Sequence, residues 1–442
     1  MNTTTDPNLK SWIESANAPE CDFPIQNLPY GLFSRSGDDT RRIGIAIGDR
    51  VLDCHALVEL GHLDGHCSPE ARCALSSHRL NEFLGLGREE WRAVRERVSS
   101  LLRSDMPESL KDSADQHDAC LVAQADVTLH LPMEIGDYTD FYASLHHATN
   151  VGSMFRPDNP LLPNWKNLPV GYHGRSSSVV VSGTPMVRPS GQTVSADGEE
   201  TSFGPVRLLD YELEVTFVVG PGNPMGQRIP IEEAREHLFG LMLMNDWSAR
   251  DVQKWEYQPL GPFNAKNFGT TLSPWIVTLD ALEPFMVPGP RRGEDDPTNL
   301  DYLTWADDFG VDLNLTVEIS SEGMREQGID PTLVSRGNYA DMYWTMSQML
   351  AHHTSTGCPL RPGDIYASGT VSGETEDSRG CLLERTWRGQ HPITLGDGTE
   401  RKFLQDGDEV IINGWCEREG ARRIGFGACS GVVAPALEPV AT

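Results

Sequence analysis

Residues 210–217, Asp210-Tyr211-Glu212-Leu213-Glu214-Val215-Thr216-Phe217, alternate without a break between polar and apolar side chains. Side chains of a strand point alternately to opposite faces. Tyr211, Leu213, Val215 and Phe217 therefore share a face that needs a core, and Asp210, Glu212, Glu214 and Thr216 share the other. Two glutamates at i and i+2 on one face stand ~7 Å apart, close enough to repel. Either that face is wet, as on an edge strand, or something cationic compensates it.

Size and turn content agree with a sheet protein. At 442 residues the chain exceeds what one hydrophobic core accommodates, and its length corresponds to roughly three domains. Hydrophobic residues are 38%, which excludes disorder as a description of the whole chain. The 42 Gly and 30 Pro call for many turns and favour a β-rich, loop-rich fold over a helical bundle. Short alternating segments near the start, Arg42 to Gly48 and Val51 to Asp53, read as strands. Trp91, Val94, Val98, Leu101 and Leu102 recur at helical spacing. The polar stretch from Met106 to Ala125 reads as a linker, giving one domain over 1–125 and a larger one over 126–442. In the second, Val215 to Val219 and Val410 to Ile412 read as strands. Helices are expected near Ile231 to Asn245, Asn245 to Tyr257 and Tyr339 to His353, and residues 284–312 as a surface excursion.

Charge narrows the partners. Lys and Arg number 36 against 64 Asp and Glu, a net charge of −28 that repels nucleic acid and anionic lipid. The densest basic stretch, Arg92, Arg95, Arg97 and Arg103, is interleaved with Glu89, Glu90 and Glu96 and reads as a solvated helix face. The nine Cys form no C-x-x-C, so neither a zinc site nor a disulfide framework is signalled and a reducing compartment fits. The start, Met1 to Asp6, has no signal-peptide pattern, and no apolar run reaches membrane-spanning length. A cytoplasmic location with no membrane or nucleic-acid partner is the expectation.

Two further segments bear on the acidic face. In Asn245 to Tyr257, read as one helix, Asp246, Arg250, Gln253 and Tyr257 fall on a single stripe, while Trp247, Val252 and Trp255 point elsewhere toward packing. Gly136 to Asn150 brings Asp137, Asp140, Tyr138, Tyr142, His146 and His147 into one short stretch. A hard cation such as Ca²⁺ or Mg²⁺ takes carboxylate oxygens, and Asp140, Glu212, Glu214 and Asp246 could supply them. An imidazole beside those acids could be a general base, although spacing cannot choose between His146 and His147. His352 and His353, at a helix end, read as structural.

At these residues the chain resembles the fumarylacetoacetate hydrolase family. The likeness runs through Ile135 to Arg156, Leu168 to Arg175, Leu208 to Gly222, Leu243 to Trp275 and Met342 to Gly373, in the family's order, and more loosely through the first domain. It implies an α+β, mainly β protein: a small SH3-like N-terminal barrel followed by a mixed β-sandwich roll that carries catalysis. It also implies a homodimer, and hydrolysis of the carbon–carbon bond of 4-fumarylacetoacetate, a small dicarboxylate β-diketone, to fumarate and acetoacetate at the end of tyrosine and phenylalanine breakdown. Carried over by position, the cation ligands are Asp140, Glu212, Glu214 and Asp246, with Lys266 and Thr270 as further contacts or supports. His147 matches the water-activating base and Glu384 the acid that orients it; Arg250, Gln253 and Lys266 match the oxyanion-stabilising group. Tyr142, Arg156, Gln253, Tyr257 and Thr370 match substrate contacts. Residues 192–202 and the acidic run Gly293 to Asp296 follow no motif of the family.

The chemistry suits that set. Splitting a β-diketone with water needs a base for the water and fixed positive groups for charge that develops on oxygen. Arg156, Arg250, Lys266 and a divalent cation would make a positive focus for a dianion inside an acidic shell. Other members of the wider superfamily, acting as decarboxylases, hydratases or acylpyruvate hydrolases, share the acid cluster, so the reaction is not fixed by it. A non-enzymatic cation-binding scaffold needs the acids but has no use for His147, Glu384 and Lys266 together.

Overall fold

The computed structural model describes residues 3–112, 114–195 and 197–438. The extreme ends of both expected domains, residues 1–2 and 439–442, and Ala196 within the segment 192–202 lie outside the described residues.

Near the N-terminus, strands Tyr30–Arg35, Arg42–Ile47, Arg50–Asp53, Leu121–Ala123 and Val127–His130 form one antiparallel sheet. The helix Arg88–Leu102 buries Trp91, Val94, Val98, Leu101 and Leu102, the residues whose spacing marks it in the sequence. The stretch 106–125 is not an extended linker. It carries a helix, Ala114–Cys120, and then Leu121–Ala123, which pairs with Arg50–Asp53 and returns the chain to the sheet.

The larger part is built on a mixed sheet ordered Gly171–His173, Tyr138–Phe141, Ile365–Ala367, Leu213–Val219, Leu238–Asp246, Thr270–Leu272 and Val179–Val181. A second sheet runs Thr332–Asn338, Asn314–Ser320, Glu409–Cys416, Cys429–Ala434 and Met186–Val187. With its curled sheets and helices the protein is α+β.

The first sheet is covered on both faces. Val215, Phe217 and Val219 pack into the core shared with the second sheet, through Leu315, Val317, Val410 and Ile412. Val218, Phe239, Met242 and Met244 pack with the N-terminal residues Tyr30, Phe83, Trp91 and Val94. Tyr30 and Ile276 exchange backbone hydrogen bonds across that junction, at 3.0 and 2.7 Å.

Double coverage corrects two sequence expectations. Residues 231–245 are not one helix: a 3₁₀ turn, Ile231–His237, leads into the strand Leu238–Asp246, all nine residues of which are buried. A strand buried on both faces carries a continuous apolar run, which periodicity cannot separate from a buried helix. Residues 245–257 are not one helix either. Asp246 ends that strand and the helix is only Arg250–Glu256, so the four-residue polar stripe does not exist as such. Trp255 on that helix is 42% exposed rather than packed. The excursion 284–312 is closed at its base by the pairing of Met286–Pro288 with Phe309–Val311, and Phe285, Leu303 and Val311 anchor it in the core.

Candidate active site and cation centre

The acidic face of 210–217 is dry: Asp210 and Glu214 are wholly inaccessible and Glu212 nearly so. An edge strand in water is thereby excluded. The sheet register assembles the acids at one end of neighbouring strands. Asp140 lies on Tyr138–Phe141, Glu214 on Leu213–Val219 opposite Met244, and Asp246 at the end of Leu238–Asp246 opposite Thr270.

Asp140, Glu214 and Asp246 offer oxygens that all lie within 4.8 Å of one another. Tyr172 bridges two of them. Its hydroxyl donates to Asp140 Oδ2 at 2.7 Å and lies 3.3 Å from Asp246 Oδ2. Thr270 Oγ1 donates to Asp246 Oδ1 at 3.1 Å, and the Gly369 amide donates to Glu214 Oε2 at 3.1 Å. Gly369 has φ +74, and a Cβ there would stand 2.3 Å from the Phe141 carbonyl oxygen, so only glycine brings that amide to the acid.

Glu212 is placed differently. It is clasped by Lys266 Nζ on Oε2 and by Arg250 Nη1 on Oε1 at 2.6 Å. Lys266 also donates to Asp246 Oδ2 at 2.7 Å. Arg250 donates through Nε to Asp210 Oδ2 at 2.9 Å and through Nη1 to Gln253 Oε1 at 3.1 Å. The structure thus brings three of the four expected ligands together and holds the fourth, Glu212, to two cations.

Burial, compounded by the Asp246 charge, pushes the Asp140 carboxyl well up; burial and the charges of Asp140 and Asp246 do the same to Glu214. Burial also raises Asp246, although Lys266 opposes it. Burial would raise Glu212 too, but Lys266 and Arg250 outweigh it and hold that carboxyl below its usual range. Asp140 Oδ1 and Glu214 Oε1 are buried with no hydrogen-bond partner. Unpaired carboxylate oxygens held this close are costly unless a cation joins them. An all-oxygen donor set of this kind fits a hard divalent ion.

The helix Leu145–Phe155 supplies the imidazole. Ser144 caps it, accepting the His147 amide at 3.2 Å, so His147 stands in the first turn. His147 is 4% exposed, and its Nδ1 lies 2.6 Å from Glu384 Oε2. The neighbouring His146 is half-buried instead. Burial would raise the Glu384 carboxyl, but His147 and the hydrogen bonds around it prevail and bring it from 4.5 to about 2.

That shift has a stability consequence. A depressed carboxyl contributes stability in full above its unfolded value of 4.5 and loses it as pH falls toward 2. The stability advantage of the wild type over Glu384→Gln is therefore expected to shrink as urea unfolding is measured at pH 5, 4 and 3. A difference constant across that window would refute the assignment.

Among the expected substrate contacts, Thr370 Oγ1 and Arg156 Nε are buried without partners, as is Arg250 Nη2. Arg156 Nη2 donates to the Pro160 carbonyl at 3.0 Å. The Tyr142 ring meets His147 edge-on, with centroids 5.2 Å apart. Burial and then the Glu384 charge push its hydroxyl up, while Arg156 opposes them. Tyr257 stands at the C-terminal end of the helix Arg250–Glu256, its hydroxyl accepting from Gln258 at 3.2 Å.

Two residues of this cluster escape a sequence reading. Tyr172, in a three-residue strand, bears no charge to announce it. Asp210 lies on the acidic face but serves a different purpose: besides Arg250, its carboxylate accepts the amides of Leu382 and Leu383 at 2.8 and 2.9 Å. It thus fixes the start of the helix Leu382–Arg385, which carries Glu384.

Comparison with known proteins bears on the whole chain. Residues 137–434 match the family described as fumarylacetoacetate hydrolase C-terminal, and residues 26–132 the fumarylacetoacetase N-terminal family. The fumarylacetoacetase of Homo sapiens is 52% identical over 423 residues, covering 96% of this chain and 98% of the relative. That of Arabidopsis thaliana is 48% identical over 428 residues, covering 97% and 99%. Among solved structures, a fumarylacetoacetate hydrolase from Exiguobacterium antarcticum superposes with a TM-score of 0.51 at 19% identity, over 92% of this chain and 99% of that one, a likeness of fold.

Proposed function

The chain belongs to the fumarylacetoacetase family, and on that premise we propose that it hydrolyses fumarylacetoacetate to fumarate and acetoacetate through the buried cluster around His147 and Asp246. The observation that carries this reading is the juxtaposition in one dry site of a histidine–carboxylate pair, a cationic chain with unspent donors and a trio of crowded acids, two of them with an unpartnered oxygen.

His147 is the general base. With Nδ1–H held by Glu384, its other nitrogen takes a proton from water. The water oxygen bonds to the carbonyl carbon on the fumaryl side, and the carbonyl π pair moves to oxygen. Arg250 Nη2 has no protein partner, and Lys266 spends two of its three protons on Glu212 and Asp246; both keep a donor for that oxyanion. As the oxyanion re-forms a carbonyl, the carbon–carbon bond breaks and its pair leaves as the enolate of acetoacetate. The enolate carbon takes back the proton from His147, so water is added across the bond. One fixed donor of this type contributes ~3 kcal/mol or more to such a transition state.

Asp140, Glu214 and Asp246, with Glu212 alongside, would hold Ca²⁺ or Mg²⁺. Bound there, the ion would polarise the diketone oxygens and favour the enolate's charge. Arg156, Tyr142, Gln253, Tyr257 and Thr370 take the substrate, whose two carboxylates call for Arg156 in particular. The protein works as a homodimer in the cytoplasm, a compartment in keeping with nine free thiols. Among the described residues no helix is long and apolar enough to cross a membrane.

Purified protein with Mg²⁺ or Ca²⁺ is expected to convert fumarylacetoacetate into equal amounts of fumarate and acetoacetate, without CO₂. Release of CO₂ would move it to a decarboxylase of the wider superfamily. Inertness with the ion bound would leave only the scaffold reading.

A further inference from the structure

We propose that Ser372, Asn150 and Cys381 are positioning residues for the general base, a ring of donors that fixes the Glu384 carboxylate against His147. Ser372 Oγ lies 2.9 Å and Cys381 Sγ 3.2 Å from Oε2, the oxygen that also meets His147 Nδ1. Asn150 Nδ2 donates to Oε1 at 2.9 Å. A carboxylate has about four acceptor sites, and these donors engage both of its oxygens.

The direction of the serine bond follows from its neighbours. Ser372 Oγ accepts the Gly380 amide at 2.9 Å, and an amide can only donate. The single hydroxyl proton is therefore left for Glu384. The circuit closes on the base itself. The His147 amide donates to Ser144 Oγ, and Ser144 Oγ donates to the Ser372 carbonyl at 3.0 Å. Ser144, Ser372, Cys381 and Glu384 are all at most 1% exposed. Asn150 follows His147 by three positions on the same helix, so one face of that helix serves both carboxylate oxygens.

A carboxylate lacking these donors is free to rotate away from Nδ1, and His147 then loses both its tautomer and its aim. This inference rests on His147 being the base of the proposed reaction. It adds that the orientation of the base depends on groups that never touch substrate.

The test uses the full-length protein with Mg²⁺ and the variants Asn150→Asp, Asn150→Ala, Ser372→Ala and Cys381→Ser. Steady-state kinetics on fumarylacetoacetate are read beside the far-downfield proton resonance of the His147 Nδ1–H, assigned by its absence in His147→Ala. Misplacing a reacting group by about 1 Å costs up to ~100-fold, so Ser372→Ala is expected to lower kcat by about 10- to 100-fold with KM unchanged. Asn150→Asp keeps the side-chain shape but sets an acceptor against the carboxylate. It is expected to lose more kcat than Asn150→Ala, and both are expected to shift the resonance. Cys381→Ser keeps a donor and retains most of kcat. A merely structural role reverses the order at Asn150, because alanine is the larger loss of packing. That reversal, or an unmoved resonance in Asn150→Asp, overturns the proposal even if Ser372→Ala fails to fold. A wild type inert toward fumarylacetoacetate would defeat the reaction reading instead, and the resonance alone would then decide the positioning claim.

Discussion

Glu214→Ala is expected to lose its divalent cation and its turnover while keeping its fold; Glu212→Ala is expected to behave differently. Glu214 has one oxygen on the Gly369 amide and the other unpaired. Its removal takes one of three crowded carboxyls from the site and breaks no ion pair. What it subtracts is a ligand of the proposed cation site. Glu212, by contrast, is ion-paired with Arg250 and Lys266. Removing one partner of a buried pair costs about 3–5 kcal/mol, because the charge left behind stays unpaired in a dry site. Elemental analysis after dialysis should find no ion in Glu214→Ala at an unchanged unfolding midpoint. Glu212→Ala should show a lowered midpoint, with activity lost through displaced Arg250 and Lys266. Full activity of Glu214→Ala in the presence of a chelator would mean that the cation site is wrongly placed.

That contrast marks how far the sequence could be read. Alternation over 210–217 locates a strand with a core face, and the structure has Leu213–Val219 there. Repulsion between Glu212 and Glu214 correctly demands compensation, but strand geometry cannot say which glutamate meets the cations. The difference comes from Arg250 and Lys266, which reach Glu212 from distant chain positions. The same limit explains 238–246. An unbroken apolar run fixes burial and leaves the element open, because Tyr30 and Trp91, which cover one of its faces, come from the remote N-terminal part of the chain. Polar residues 106–125 resemble a linker for an analogous reason: strand Leu121–Ala123 is only partly buried, and its pairing partner Arg50–Asp53 is remote. Asn150, Ser372 and Cys381 could not be singled out at all. Each is an ordinary residue until folding brings it to Glu384.

His147→Ala is expected to lower kcat by ~100-fold or more, the scale of a lost general base, whereas His146→Ala leaves kcat nearly intact. Adjacent imidazoles on one helix point about 100° apart, and only one can enter the site. His147 is the one buried against Glu384, with its amide on the Ser144 cap; His146 is half-buried. The loss should fall on kcat rather than KM, since in the proposed reaction His147 serves the proton and Arg156 the substrate's charge. Glu384→Gln sharpens the test. An amide keeps the shape but can present N–H to Nδ1, favouring the tautomer whose proton sits on the wrong nitrogen. It should therefore approach the loss seen in His147→Ala, and the double variant should be little worse than either alone. Additive losses would mean that the two residues act separately. A severe effect at His146 with a mild one at His147 would transfer the base to the neighbouring imidazole.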